Sequence, residues 1–389
     1  MYNPRVRVES LLAGSISQAA AKQRAGRAGR TRPGKCYRLY TEKSFNEDLQ
    51  KQTYPEVLRS KMDSVLLTLF KLNIKDVVHF DFMDPPAPDT MMRSFETLNY
   101  IGAIDDEGEL TEDGERMSVL PLEPELAALL LLSCKEEFNC SVEMLIIVAL
   151  LSSANIFMRP REAAKDADAA KEQFAQNESD HLTLLNAFYS FVESGKDKNW
   201  CYDNFLNFRS LTSALHVKDQ LQRSLTRMGL PIVSADFNSN QYYNNLRKCL
   251  SAAGFMKVAH LQRDGHYLTV KDRQVVAIHP SSVIDFGHKP AWILFHEFVL
   301  TKRNYMRTCT IIQGEWLMYY APHYYDLDTF PEGETKQELV RIKRRIIQEK
   351  EYRESKANNS SSNSNSNSSP ERKKEKKEKK EKKQKKEHR

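Results

Sequence analysis

Near the amino terminus, Gln23-Arg24-Ala25-Gly26-Arg27-Ala28-Gly29-Arg30 brings together residue types suited to phosphate chemistry. Arginines at 24, 27 and 30 recur at near-helical spacing, so on a turn and a half of helix they project from one face as forked cationic donors. Gly26 and Gly29 remove side-chain bulk between them. A second body can then press close while planar guanidinium groups reach a phosphate, which is the geometry of an arginine finger. A flexible Arg-Gly linker that binds RNA without specificity is the competing reading. The order expected downstream argues against it: Pro33-Gly34 ends the helix, and the alternation over 35–40 predicts a strand.

Further residues quoted from this stretch carry a family resemblance. Thr31-Arg32-Pro33-Gly34-Lys35-Cys36-Tyr37-Arg38-Leu39-Tyr40 follows the arginine run, and the whole resembles motif VI of superfamily 2 helicases, specifically the DEAH-box RNA helicases. The likeness continues to about residue 330 and is nearest the subgroup that G-patch proteins activate in splicing and ribosome biogenesis. It implies that Gln23, Arg27 and Arg30 meet the terminal phosphate of ATP, position the attacking water and offset charge that develops in transfer. Arg24, Gly26 and Gly29 would belong to the same nucleotide-binding surface, with ATP and magnesium as cofactors of the complete enzyme. A phosphate-cradling Gly-x-x-x-x-Gly-Lys-Ser/Thr loop is not found, because Gly34-Lys35 precedes Cys36 and Gly195-Lys196 precedes Asp197. An Asp-Glu-Ala-His sequence is also missing. The expectation is that this chain alone neither binds ATP tightly nor hydrolyses it.

Met1-Tyr2-Asn3-Pro4 signals a turn, and 5–12 alternates like a strand leaving it, with no chain before the turn to pair with. The family carries a strand-separating hairpin at this point, and the chain is expected to begin inside it. From Tyr54-Pro55 a helix is predicted on Met62, Val65, Leu66, Leu69 and Leu72 or Phe70, ended by Asp84-Pro85-Pro86-Ala87-Pro88. Asp89 is read as the cap of a second helix that buries Met92, Phe95 and Leu98 and stops at Gly102. A hairpin turning at Glu107-Gly108 completes a winged helix. Its wing carries Asp105, Asp106, Glu107 and Glu109, which repel phosphate, so an internal structural role is expected. Met83-Asp84-Pro85-Pro86-Ala87-Pro88 and 110–124 resemble the family's winged helix, which packs on its second RecA-like domain.

The stretches 124–138 and 142–151 are apolar almost all round, as central bundle helices are. Further helices are predicted over 163–174, 180–193, 198–228 and 242–253. Ser152, Asn155 and Arg159 lie at a corner that contacts RNA in the resembling family, although Ser152 and Asn155 equally suit capping of the preceding helix. Asp180 and Trp200 are read as capping and packing residues.

After Gly254 the period becomes two, and strands are predicted over 255–259, 267–270, 275–279, 292–300, 305–312 and 316–319. Such short strands suggest a small barrel, and the family has an oligonucleotide-binding (OB) fold here. Lys302, Arg303, Tyr305 and Arg307 mix basic and aromatic groups at a strand junction, which suits phosphate contact with base stacking; a solvated hairpin tip is the alternative. His296-Glu297 is not a zinc-protease start because Leu300 stands where the second histidine belongs, and no metal site is expected.

The net charge of +6 misleads: 371–389 holds ten Lys, two Arg and five Glu, so the rest of the chain is near neutral. The 358–369 run of Asn and Ser has nothing to bury, and the tail is expected to be disordered, serving as a nuclear address or RNA tether. Six cysteines without a Cys-x-x-Cys pair read as reduced cytosolic or nuclear thiols. The longest apolar run, 144–151, is far short of the ~18 residues a membrane span needs. With no charged-then-apolar leader, neither secretion nor membrane insertion is expected.

The fold expected is multidomain α+β. It comprises the end of a RecA-like α/β domain (1–53), a winged helix (54–121), a ratchet-like helical bundle (122–253), an OB-fold β-barrel (254–330), a C-terminal helix (331–357) and a disordered basic tail (358–389). The implied partners are RNA, a G-patch activator, and spliceosomal or pre-ribosomal particles, in the nucleus or nucleolus with the cytoplasm also open. The alternative to a helicase part is a motorless module that binds RNA and G-patch proteins.

Overall fold

Residues 2–3, 8–9, 14–284, 289–300 and 303–365 are described in a computed structural model. At the amino terminus Tyr2–Asn3 (β1) pairs antiparallel with Val8–Glu9 (β2), so the described part of the strand expected over 5–12 finds its partner inside the chain; 5–7 and 10–12 lie outside the described residues. The helix Gln18–Ala25 (α1) starts at Ser17, whose hydroxyl accepts from Ala20 N at 3.1 Å and from Thr53 Oγ1 at 2.9 Å. Its first-turn amides, which have no partner inside a helix, reach Gln50 O and Lys51 O at 2.8 and 3.1 Å. Glu42–Glu47 (α2) follows, capped by Thr41. The strand predicted over 35–40 does not form. Alternation alone cannot make a strand without a neighbour to bond, and Tyr37 and Leu39 stand 81% and 100% exposed.

Asp63–Lys71 (α3), Pro88–Tyr100 (α4) and Glu112–Val119 (α5) build the winged helix, with Ile104 bridging Leu110 across the wing. The wing turns at Glu107-Gly108 as expected, where Gly108 has φ +81°. Two details differ from the sequence reading. Pro88, not a capped Asp89, opens α4, because proline's fixed φ suits the first helical position. The buried face of α4 is Met91, Ser94 and Leu98, while Met92 is 62% exposed. On α3 likewise, Val65 and Leu72 are exposed and Leu67 is buried. Gly114 is held to glycine by a close approach: a Cβ there would lie 1.9 Å from Ala103 O, so α5 presses directly on the wing backbone.

The bundle comprises Pro124–Ser133 (α6), Ser141–Leu151 (α7), Ala164–Glu172 (α8), Asp180–Glu193 (α9), Lys198–Asp203 (α10), Phe208–Arg227 (α11) and Tyr242–Ala253 (α12). The single helix predicted over 198–228 is two. Phe205 takes φ +52°, and Asn207 caps α11 by accepting from Arg209 N and Ser210 N at 3.1 and 3.3 Å. The break lets Phe157 pair with Leu206, closing the bundle's corner. The winged helix and bundle share one continuous apolar core running from Met62 to Ala253.

Val258–Leu261 (β3), Tyr267–Thr269 (β4), Val275–Ile278 (β5), Trp292–Leu300 (β6) and Asn304–Ile311 (β7) close a barrel in the order β3-β4-β5-β7-β6, with its own core around Ala259, Ile293 and Met306. All its pairings are antiparallel except β5 with β7. The sixth predicted strand, 316–319, belongs to the helix Gly314–Tyr320 (α13); an apolar run that short carries no usable period.

Residues 332–389 form a separate unit, whose helix Glu334–Asn365 (α14) runs into the Asn/Ser stretch expected as linker; no Gly or Pro interrupts the sequence from 334 to 369. The basic tail from 366 onward lies outside the described residues. Among the described residues, five cysteines are buried, Cys36 is exposed, all are free thiols, and no helix is long and apolar enough to cross a membrane.

Candidate nucleic-acid interface

The arginine run does not lie on one helix. Gln23 and Arg24 occupy the end of α1, Gly26 is its C-cap, and 26–29 winds on through turns in which Arg27 N and Ala28 N donate to Arg24 O and Ala25 O at 3.2 and 3.1 Å. Residues three apart eclipse in such winding, so Arg24 and Arg27 leave the backbone on the same side. Gln23, Arg24, Arg27 and Arg30 are exposed, and none of their side chains has a hydrogen-bond or ion-pair partner among the described residues. Gly29 has open space around it, and a Cβ on Gly26 would make ordinary contacts. The close approach falls at Gly34, where a Cβ would lie 2.1 Å from Ala28 O; this seals the loop's base. As a donor set, three guanidinium groups and an amide suit phosphate oxygens. None of the four is a carboxylate that suits magnesium, so they fit one end of a nucleotide triphosphate.

At the bundle corner, Ser152 is the C-cap of α7 and its hydroxyl donates back to Val148 O at 2.8 Å. Asn155 Oδ1 accepts from Phe157 N at 3.1 Å, an Asx turn that aims the chain toward α8. Ser152 thus caps the preceding helix as foreseen, whereas Asn155 bonds forward and does not cap α7. Arg159 is held in a bidentate pair by Asp168 of α8, Nε and Nη2 reaching the two carboxylate oxygens at 2.7 and 2.8 Å.

On the barrel, Arg307 of β7 pairs with Glu297 of β6 at 3.4 Å. Tyr305 packs edge-on against His279, ring centres 5.4 Å apart. Ala277 and Ile278 pair with Tyr305 and Met306, and His279 N donates to Met306 O at 2.9 Å, so continuing the register sets His279 beside Arg307. Met306 and Ile278 point into the barrel core, which turns Tyr305, Arg307 and His279 outward. Arg303 is exposed at the start of the same strand. Lys302 lies outside the described residues.

Corner and barrel meet. Lys171 of α8 donates to Ser281 O, and its ammonium lies over the Phe157 ring, 5.0 Å from the centroid. Burial draws the Lys171 ammonium below its usual range, with Arg307 adding to this and Asp180 and Asp168 opposing it. Burial likewise lowers His279, and Arg307 and Lys171 lower it further against Asp180. The junction is pinned from below. Asp180 accepts from Ser282 Oγ (2.7 Å), Val283 N (2.8 Å) and Cys309 N (2.8 Å), while Thr310 Oγ1 meets Ser179 Oγ (2.6 Å) and His181 Nδ1 (2.7 Å). Burial holds His181 at about 3, so its ring is neutral. Sequence reasoning missed Lys171, His279 and Ser281 as parts of this face. Each is a lone residue without a motif, and only the packing of α8 on the barrel assembles them.

Three family models match the chain. Residues 94–122 match the helicase-associated domain (HA2), winged-helix; residues 123–184 match the helicase-associated domain (HA2), ratchet-like; and residues 246–324 match an oligonucleotide/oligosaccharide-binding (OB)-fold. The winged helix, the bundle and the barrel described above carry these matches. In this order the three domains make up the C-terminal module of DEAH/RHA-type helicases, and the chain carries that module.

Proposed function

We propose that this chain is the RNA-gripping carboxy-terminal part of an ATP-dependent DEAH-box RNA helicase that remodels RNA or RNA-protein complexes. The observation that carries the reading is the meeting of the bundle corner with the outer face of β7, where Lys171 bonds Ser281 O. It joins Phe157, Lys171, His279, Tyr305 and Arg307 into one basic and aromatic surface on a barrel of the oligonucleotide-binding class. Rings that stack bases and cations that meet phosphates are the means by which proteins hold single strands.

In the complete enzyme Gln23, Arg27 and Arg30 would face the terminal phosphate of ATP, with Arg24, Gly26 and Gly29 beside it. ATP supplies the driving force when bound; these residues bind and orient its phosphate end and balance its charge. Without the remaining nucleotide-binding motifs, the chain by itself is inactive. Splicing or ribosome assembly as the pathway, a G-patch activator as the partner and a nucleus-directed tail rest on the sequence resemblance and the lysine-rich 371–389 segment.

Fluorescence anisotropy of a labelled single-stranded RNA on the full chain tests the reading. Tyr305→Ala is expected to weaken binding by about 5- to 160-fold, since one base-aromatic stack is worth ~1–3 kcal/mol. Unchanged affinity in both Tyr305→Ala and Arg307→Ala would remove RNA from this face.

A further inference from the structure

Ser281 is bonded from two directions at the heart of this face. Lys171 Nζ donates to its carbonyl, while its own N–H donates to His279 Nδ1 at 3.1 Å and its hydroxyl meets the same nitrogen at 2.7 Å. A ring nitrogen that accepts a backbone N–H must present its lone pair, so the neutral ring carries its proton on Nε2. Nε2 has no hydrogen-bond partner among the described residues. The charged and titratable groups facing His279 are Lys171 from α8, Asp180 from α9, and Tyr305 and Arg307 from β7. Asp180 is already engaged by three donors, and Glu297 is paired with Arg307 from the β6 side. Three basic side chains are thus gathered here, Arg307 sharing its guanidinium with Glu297 and the Asp180 carboxylate turned to hydroxyl and backbone donors.

We propose that Lys171, His279 and Arg307 form a subsite for one backbone phosphate of RNA, and that His279 takes a proton from solvent as the phosphate seats. The proposal rests on the reading that RNA lies on this face. In the free protein, burial and the two neighbouring cations keep the imidazole neutral. An arriving phosphate reverses the local field, so the charged ring becomes the favoured form. The added proton goes to Nδ1, where the Ser281 hydroxyl turns to accept it and the exposed Ser281 N–H passes to solvent, while Nε2–H becomes a charge-assisted donor to the phosphate. Because a proton is bound with the ligand, affinity must rise as pH falls. An acidic peptide would meet the same cations, but the neighbouring Tyr305 ring offers a stacking surface that bases use and carboxylates do not.

The test is anisotropy of a fluorescent oligouridylate on the full chain at constant ionic strength, from about pH 8 down to about pH 6, where histidine titrates. Wild type is expected to bind up to about tenfold tighter at the lower pH, the change that a one-unit shift on binding produces. H279N supplies an amide oxygen in place of Nδ1 for the Ser281 N–H and should bind with a flat profile. H279Q is the second variant, each checked for native circular dichroism. K171M and R307M should each weaken binding and lower the salt slope by about 0.7, the share of one single-strand phosphate. A flat wild-type profile, or a wild-type profile in both histidine variants, overturns proton uptake while leaving RNA on the face. Unchanged binding in both K171M and R307M instead overturns the RNA face itself. Poly-glutamate competing as well as RNA of equal charge would assign the subsite to acidic protein.

Discussion

Asp180 Oδ2 accepts the backbone N–H of Cys309 at 2.8 Å and, with the Thr310 hydroxyl bonded to Ser179 and His181, ties the start of α9 to β7. Cys309 lies next to Thr308, whose φ of +53° is unusual for a β-branched residue. The carboxylate sits at 8% exposure and also receives Ser282 Oγ and Val283 N. The bundle thereby sets the course of the barrel strand that faces RNA in the proposed function.

Asp180→Ala should cost about 2–5 kcal/mol in urea unfolding, because the Cys309 and Val283 amides lose their partner in a buried place. Asp180→Asn keeps one acceptor oxygen and should lose less. Equal stability of Asp180→Ala and wild type would mean that water reaches the junction and replaces the carboxylate.

Asp63, in the first turn of α3, is 5% exposed, and burial pushes its carboxyl up to about 6 from the ordinary 3.8, against the pull of Lys61 and the Ser94 hydroxyl. The folded state then holds the proton more tightly than the unfolded chain. Stability linked to this group is full below the unfolded value and is lost as pH rises through about 6, a difference of about 2–3 kcal/mol. Asp63→Asn should match wild type near pH 4 and exceed it at pH 7 by that margin. Lower stability of the variant at pH 7 would show that the ionised carboxylate is favourably held.

Arg159 and Asp168 are both largely exposed, so their bidentate pair adds little to stability. In the proposed function, Asp168 competes with an RNA phosphate for the guanidinium fork. Asp168→Asn is expected to tighten RNA binding about two- to tenfold at low salt, with the gain shrinking as salt rises. Weaker binding by the variant would mean that Asp168 aims Arg159 rather than restrains it.

Arg27→Ala or Arg30→Ala in the complete enzyme should lower ATP turnover by about 10³- to 10⁵-fold, the range for a transition-state arginine, with RNA affinity unchanged. Their exposure and lack of partners predict no loss of melting temperature. Near-normal turnover in purified variants would remove them from the phosphate site.

The local grammar was legible in the residues themselves. Gly108 marks the wing tip because a glycine is at ease at φ +81°, whereas the capping read at Asp180 falls to Ser179, because the Asp180 carboxylate is drawn to donors on the barrel. The apolar runs of α6 and α7 announce a bundle centre, and the change to period two after Gly254 announces the barrel. Tertiary structure decided what periodicity leaves open. Whether 35–40 pairs depends on a neighbouring strand, and whether Met91 or Met92 faces inward depends on where α4 meets the rest of the core. It also decided which distant residues meet. Lys171 and His279 carry no motif, and no spacing along the chain relates them. They share a surface because α8 and the end of β5 both bond Ser281, a relation that exists only once the bundle has packed against the barrel.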